Sequence, residues 1–375
     1  TFNSLTNLKV LKLNDNMIKY LSSDTFYNLK RLEELILHRN LLAFDEGSMT
    51  SRIIKLNRLT ISTDTPSNLS TLQINANIVE IISRQADLII YLPNLNLVDL
   101  DVSQPVDSKS RKVNKQIDSN TFPVVLNQLE TIVLDNLQIE SIEPNAFSKL
   151  ANLRSLKLNK NRIQTLRNDT FKYLTMLKSL SLSESNLESI ESNAFSDLVS
   201  LASLQLTNNM LTLIKNNTFN SLGNLKTLDL TNSNVQALDT NSFYGLSNLT
   251  SLYLDRNKIK RLKNNTFQSL TSLNMLRIAN CGIETIEPEA FSGLASLTTL
   301  RLEFNNIKTI SINLFSYLPN LISLSLWDSN INALESKAFD GLKNLVFLDL
   351  NSNSLRSIKN DSLKMLGKLK ALNLC

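Results

Sequence analysis

Residues 201–224 read LASLQLTNNMLTLIKNNTFNSLGN, with apolar side chains at Leu201, Leu204, Leu206, Leu211, Ile214, Phe219 and Leu222. Two units later the same offsets return as Leu249, Leu252, Leu254, Ile259, Leu262, Phe267 and Leu270. The leading leucine recurs in steps of 24 at Leu129, Leu153, Leu177, Leu201, Leu225, Leu249, Leu273, Leu297, Leu321, Leu345 and Leu369. Two further units, from Leu8 and Leu32, share that spacing. A fixed period over so much chain is the signature of stacked supersecondary units, and it decides the architecture before any local propensity is weighed.

Numbering each unit from its leading leucine gives every position a physical meaning. The segment L-x-x-L-x-L, with leucines at positions 1, 4 and 6, predicts a short strand whose alternate residues face inward while those between them face out. Stacked units then form one long parallel sheet. The turn that follows leaves backbone groups in need of partners. Asn16, Asn40, Asn161, Asn209, Asn257, Asn305 and Asn353 stand at position 9 of their units. An amide there can donate to and accept from the backbone of its own and neighbouring coils. The returning arm brings two aliphatics, a phenylalanine and a last leucine to the interior. One unit alone cannot bury that face, so stability belongs to the stack.

The pattern LxxLxLxxNxIxxIxxxxFxxLxxL resembles the 24-residue leucine-rich repeat typical of extracellular proteins and receptor ectodomains, such as the Toll, Slit and chaoptin-like families. The resemblance is close over residues 1–44 and 129–375 and loose between them. It implies an α/β solenoid, a horseshoe with a parallel β-sheet on the concave face and irregular or short helical returning arms on the convex face. It also implies a single solenoid over residues 1–375, of about 15–16 repeats. Both ends fall inside a repeat without a polar cap, so the chain is expected to be a fragment of a longer protein. The function implied is that of an extracellular or cell-surface ectodomain binding a protein ligand or co-receptor, in signalling, adhesion or innate immunity. A secreted soluble scaffold or immune effector is the alternative, and an intracellular interaction scaffold the third.

Composition narrows the partners. The net charge of +5 and pI near 9.0 are mild for 375 residues. Both signs are spread along the chain rather than gathered with aromatics on one basic face, which argues against nucleic acid. No run of 18 apolar residues offers a membrane span within the sequence. No zinc-type or disulfide-scaffold cysteine spacing occurs, since Cys281 and Cys375 are the only cysteines. Enzyme chemistry finds no support. His38 is the sole histidine, at an outward strand position. No G-x-S-x-G, phosphate-binding glycine loop or H-E-x-x-H motif is present. Cys281 stands at position 9, where a buried thiol substitutes for the amide. No metal or cofactor is expected.

A second period of 48 overlays the first. Position 9 reads Leu137, Asn161, Ser185, Asn209, Ser233, Asn257, Cys281, Asn305, Ser329 and Asn353. Position 15 reads Glu143, Arg167, Glu191, Lys215, Asp239, Lys263, Glu287, Ser311, Glu335 and Lys359. Acid and base alternate with one neutral exception, which predicts weakly favourable neighbours in place of a like-charge ladder. Glycosylation sequons occur at Asn68, Asn168, Asn216, Asn248, Asn264 and Asn360. Their number is no more than so many Asn, Ser and Thr supply by chance. Four of them, Asn168, Asn216, Asn264 and Asn360, share position 16, on one stripe of the returning arms away from the sheet.

Between residues 45 and 128 the frame slips. Units can be placed at Leu56-Leu59-Ile61, Leu69-Leu72-Ile74-Asn77 and Leu95-Val98-Leu100, followed by a polar, basic, proline-containing insertion near residues 103–116 that reads as a protruding loop. Elsewhere, specificity belongs to the outward strand residues, which the core leaves free. From Leu153 to Leu246 these are mostly bland: Ser179, Ser181, Ser183, Ala202, Ser203, Gln205, Thr207, Thr227 and Thr231. The next coils offer Tyr253, Asp255, Arg256, Arg277, Arg301, Glu303, Phe304, Trp327, Asp328, Phe347 and Asp349. Aromatics and arginine dominate binding hot spots, so this patch is the candidate ligand site.

Overall fold

The computed structural model describes residues 2, 4–19, 25–26, 28–37, 40, 116–119, 121–122, 129–359 and 361–375, together with the backbone of strands Ile54–Thr63, Ile74–Ser83 and Asp99–Ser103. Two compact units are present. The first comprises Thr1–Ile163 with Asp169–Ser185, the second Gln164–Asn168 with Asn186–Cys375.

In each unit successive strands pair in parallel and in strict register. The first unit aligns Leu11, Leu35, Leu59, Val79, Leu100, Ile132, Leu156 and Leu180. The second aligns Leu204, Leu228, Leu252, Leu276, Leu300, Leu324, Leu348 and Leu372. From Thr131 to Asn373 eleven turns of the repeat carry a strand, three in the first unit and eight in the second. Leucines at positions 1, 4 and 6 of the coils from Leu201 to Leu326 are fully buried. Behind them the position-19 phenylalanines form a stacked column in the second unit, from Phe195 to Phe339, with centroids 5.8–6.5 Å apart. Such pairs add about 0.5–1.5 kcal/mol each beyond their buried area.

The helical reading of the returning arms is corrected: the described residues contain no helix. Each arm is a chain of single turns, as in Ala290 N–H to Glu287, Ser292 N–H to Glu289 and Leu297 N–H to Leu294. A left-handed residue, such as Asn217 (φ 60°) or Asn265 (φ 60°), interrupts several arms before a helical ladder can propagate. The middle registers also differ from two of the three read from the leucine template. Leu59 aligns with Leu35 as that template requires. The next strand, however, is Ile74–Ser83, with Val79 in the aligned place instead of Leu72. In the following strand Leu100 replaces Val98. The β-branched run Ile78-Val79-Glu80-Ile81-Ile82 favours a long strand over a three-residue one, and this wins over the leucine spacing. The insertion near 103–116 lies mostly outside the described residues, as do His38, Asn68 and Asn360.

The 48-residue period has a backbone cause. Position 8 is left-handed in every coil from Asn136 to Ser352. Position 10 is left-handed only where position 9 lacks asparagine, at Gln138, Asn186, Asn234, Gly282 and Asn330. Asparagine coils and serine coils thus turn differently, and they are knitted together by two alternating devices. The first is the position-9 amide, which reaches back to the preceding serine coil. Asn257 donates to the carbonyls of Leu230 (2.9 Å) and Leu254 (2.7 Å) and accepts from the N–H groups of Ser233 (3.1 Å) and Val235 (2.9 Å). Asn161 and Asn305 make the same four bonds. Asn16, Asn40, Asn209 and Asn353 likewise donate to the carbonyl three residues before them.

The second device ties each asparagine coil forward, through the arms. Among the described residues two-residue strands pair only in couples: Gln116–Ile117 with Ser141–Ile142, Thr165–Leu166 with Ser189–Ile190, Leu213–Ile214 with Ala237–Leu238, Arg261–Leu262 with Thr285–Ile286, and Thr309–Ile310 with Ala333–Leu334. The acidic residue at position 15 closes three of these couples, accepting a backbone N–H from the preceding coil. Glu191 takes that of Asn168 (2.7 Å), Glu287 that of Asn264 (2.7 Å) and Glu335 that of Ile312 (2.8 Å). Bonding by the Asn264 amide, then by Arg261, holds the Glu287 carboxyl below the usual carboxylate range. Three of the position-15 acids therefore act on the backbone, and at Glu287 the positive charges of Arg261 and Lys263 in the preceding coil add to that.

Candidate binding surface

The outward strand positions of the second unit line up across coils, so residue types far apart in sequence form columns. Position 5 runs Asp229, Tyr253, Arg277, Arg301, Ser325, Asp349 in direct register. Arg277 and Arg301 are cross-strand neighbours of like charge, an arrangement that costs stability unless it is offset. The offset comes from position 7. Arg277 Nε lies 2.6 Å from Asp255 Oδ2, and Arg301 Nη1 lies 3.6 Å from Glu303 Oε1. The Arg277 guanidinium also sits over the Tyr253 ring, 5.8 Å from its centroid. Asp255 is 5 % exposed and its second oxygen accepts the Ala279 N–H at 2.8 Å.

These side chains enclose a shallow hollow of about 470 Å³ lined by Asp229, Thr231, Tyr253, Asp255, Arg256, Arg277, Ala279, Asn280, Glu303 and Phe304. At its far side Phe304 meets Trp327, ring centroids 4.6 Å apart and planes tilted by 58°. Phe304 is 41 % exposed and Trp327 38 %. Phe304 occupies the left-handed position 8 with φ 60°, a place that asparagine takes in four other coils of the array. An L side chain other than Asn or Asp pays about 1–2 kcal/mol in that conformation. Packing does not require the ring there, since nearly half of it faces solvent.

Of the residues singled out in the sequence, Tyr253, Asp255, Arg256, Arg277, Glu303 and Phe304 line the hollow. Arg301 and Trp327 adjoin it through Glu303 and Phe304. Asp328 is exposed at the next position 8. Phe347 and Asp349 lie on the next strand but one after Arg301, half-buried, and Asp349 accepts the Asn351 N–H at 3.0 Å. Asp229, Thr231, Ala279 and Asn280 also line the hollow, without standing out as candidates in the sequence. Reading by column exposes Asp229, because position 5 places it opposite Tyr253.

The sequons have structural work of their own. Asn168, Asn216 and Asn264 each accept, through Oδ1, the N–H of position 17 in the next coil, at Asn193, Asn241 and Glu289 (2.9–3.2 Å). The threonines two residues on are buried, and those at 218 and 266 donate to the carbonyls of Lys215 and Lys263. The N-x-T spacing is thus also a polar clasp. Asn248 differs: its Nδ2, the atom a glycan would take, donates to Gly223 at 2.8 Å. Cys281 behaves as a serine analogue, its thiol donating to Leu254 at 3.1 Å where Ser233 and Ser329 donate to Leu206 and Leu302. Burial pushes that thiol up to about 12, away from reactivity. Among the described residues no group of three His, Cys, Asp or Glu side chains could hold a metal ion, and no helix is long and apolar enough to cross a membrane.

With the fold and its surface in view, the family follows. Models described as "Leucine rich repeat" and "BspA type Leucine rich repeat region (6 copies)" match residues 1–42, 271–326 and 319–375, and residues 115–250 and 164–281, respectively. The chain belongs to the leucine-rich-repeat family. Among solved structures it resembles a TLR13–ssRNA13 complex at 24% identity, covering 100% of this chain and 68% of that one, TM-score 0.56. A glycosylated form of the Toll–Spatzle complex of Drosophila matches at 19% identity over 85% of this chain and 51% of that one, TM-score 0.60. An internalin from Listeria monocytogenes matches at 19% identity over 99% and 88%, TM-score 0.56. The chain thus spans about half the length of the Toll chain. These likenesses show the fold. No curated protein matches the sequence closely enough to count as a relative. Because one similar structure holds RNA, the fold gives no ground for setting nucleic acid aside; that expectation stands on charge distribution alone.

Proposed function

We propose that this chain is a ligand-recognition module, not an enzyme, which binds a protein ligand or co-receptor through the outward strand face of the coils from Leu225 to Leu350. The observation that carries the reading is the contrast along one face. In the two coils before Leu225, positions 5 and 7 hold only small or neutral polar side chains, Ser181 and Gln205, then Ser183 and Thr207. The later coils carry Tyr253, Arg277, Arg301 and the exposed Phe304–Trp327 pair around a hollow. Trp, Tyr and Arg clustered over desolvated neighbours are the make-up of a hot spot. Extracellular or cell-surface residence, with glycans on the position-16 asparagines, fits the likeness to Toll-type ectodomains and leaves this face uncovered.

The test is affinity for a protein ligand obtained by screening secreted and surface proteins against the immobilised chain. Trp327→Ala and Arg301→Ala are expected to weaken binding at least about tenfold, with little change in melting temperature. Unchanged affinity in both variants removes this face as the binding site.

A further inference from the structure

Two arginines on the strand face keep hydrogen-bonding capacity that the fold does not use. Arg277 and Arg301 are direct cross-strand partners at position 5, on strands about 4.8 Å apart. Arg277 Nε lies 2.6 Å from Asp255 Oδ2 but out of line for a hydrogen bond. Arg301 Nη1 lies 3.6 Å from Glu303 Oε1, beyond hydrogen-bond reach. Among the described residues, then, neither guanidinium donates a hydrogen bond. The charges here are also sorted by depth. The side chains of Asp255 and Glu303 are 7 % and 10 % exposed, those of Arg277 and Arg301 38 % and 50 %. Asp255 is held further by the Ala279 N–H at 2.8 Å. The charges balance in sum, yet the group that an approaching partner meets is guanidinium.

From this ordering we infer that Arg277 and Arg301 form a clamp for a single carboxylate, the side chain of an aspartate or glutamate presented by the protein partner. The assignment rests on the recognition reading above and adds the chemistry of the ligand. One carboxylate over the pair accepts N–H groups from both guanidiniums, in charge-assisted bonds of the stronger kind. Because Arg277 Nε is sealed, its share falls to the Nη groups. The anion also relieves the like-charge contact between the two strands. The column itself decides between a lone anion and a polyanion. Position 5 reads Asp229, Tyr253, Arg277, Arg301, Ser325 and Asp349, so an acid stands two strands beyond the pair on either side. A nucleic-acid backbone following the column would bring its further phosphates towards Asp229 and Asp349. A side-chain carboxylate meets the arginines without those neighbours. Phe304 lines the hollow together with Arg277, and Trp327 packs against Phe304. A partner that covers those rings also takes water away from the clamp, where charges attract more strongly.

The arginine side-chain N–H resonances of the whole chain, assigned through Arg277→Lys and Arg301→Lys, report on the clamp directly. The probes are N-acetyl-glutamate amide, its uncharged isostere N-acetyl-glutamine amide, N-acetyl-arginine amide and a short oligothymidylate. The amino-acid amides are titrated to tens of millimolar at constant ionic strength. Saturable shifts at Arg277 and Arg301 are expected with the glutamate probe and none with the glutamine or arginine probes. Arg301→Gln should weaken the glutamate response at Arg277 roughly tenfold, the loss of one charge-assisted contact. Arg301→Lys keeps a positive charge beside Glu303 and should recover part of that loss, which a folding defect in Arg301→Gln would not explain. Equal responses to glutamine and glutamate, a response to the arginine probe instead, or an unchanged response in Arg301→Gln each overturn the proposal. So does a loss in Arg301→Lys as large as that in Arg301→Gln. Displacement of the glutamate probe by micromolar oligothymidylate would assign the pair to nucleic acid and overturn it as well. A protein ligand that loses affinity in Trp327→Ala but none in Arg301→Gln would sink the clamp and leave the recognition reading standing.

Discussion

Replacing Asn305 by alanine tests the stacking account at one side chain. The four shortest bonds of the amide go to backbone groups of two coils: the N–H groups of Cys281 (3.1 Å) and Ile283 (3.0 Å), and the carbonyls of Ile278 (2.9 Å) and Leu302 (2.8 Å). Leu302 keeps a second donor, the Ser329 hydroxyl at 2.9 Å. The other three lose the side chain that serves them. At about 1–3 kcal/mol for each buried unsatisfied group, with part recovered by entering water, the cost comes to roughly 4 kcal/mol. An unfolding entropy of about 2.1 cal/mol/K per residue is ~0.8 kcal/mol/K over a chain of this size, so the midpoint should fall by ~5 °C. Differential scanning calorimetry reads that shift, and amide exchange reads its place. The amides of Cys281 and Ile283 should exchange faster while Leu302, bonded to Ser325 in the strand ladder, stays protected. A midpoint within about 1 °C of wild type, with unchanged exchange at both amides, would refute the role given to the position-9 asparagines.

Other outcomes follow from the same contacts. Gly293 has φ +87° and an added Cβ would lie 2.3 Å from the Gln268 carbonyl oxygen, so Gly293→Ala should destabilise by at least about 2 kcal/mol, seen as a lowered urea midpoint. Under native conditions iodoacetamide should label the exposed Cys375 and leave the buried Cys281 unlabelled; rapid labelling of Cys281 would contradict its placement. The Cys281 thiol is raised in the fold from 9.0 to about 12, so its contribution is complete below pH 9 and is lost as pH climbs through that window. Wild type should therefore lose stability relative to Cys281→Ser above pH 9, by about 1.4 kcal/mol at pH 10, measured as the difference in urea unfolding free energy. The depressed Glu287 carboxyl works in the other sense: its stabilisation is present above the ordinary carboxylate range and fades as pH falls through the lowered value. Acid unfolding of Glu287→Gln should accordingly be less steep than that of wild type.

What the sequence disclosed and what it hid have a common physical origin. Positions set by the interior of the stack, such as Leu204 and Phe219, recur in nearly every coil, and Asn257 in every second one, so their roles could be read directly. Roles set by the distance between coils could not. Glu287 looks like half of a charge pair with the basic coil beside it, yet it accepts the Asn264 N–H, a contact visible only once the arms are stacked. The left-handed demand at position 8 is masked by Lys160, Glu184, Arg256 and Phe304, residues that do not advertise it. In the middle, apolar β-branched runs offered several leucine-like frames, and strand length chose among them. The lining of the hollow was legible from Tyr253 to Phe304 because its residues are unusual. Asp229 and Thr231 escaped because they stand in a coil of otherwise plain composition, and only the cross-strand register makes them neighbours of Tyr253 and Asp255.

The surface claim itself has a built-in control, because the second unit also exposes aromatics on its returning arms. Tyr244 is 55 % exposed and Tyr317 40 %, against 41 % for Phe304 and 38 % for Trp327 on the strand face. The decisive measurement is the affinity of one protein ligand for two double variants, Phe304→Ala with Trp327→Ala and Tyr244→Ala with Tyr317→Ala. The strand-face pair should lose at least about a hundredfold, some 3 kcal/mol, and the arm pair less than about twofold. Loss in the arm pair with the strand-face pair unaffected would contradict the account.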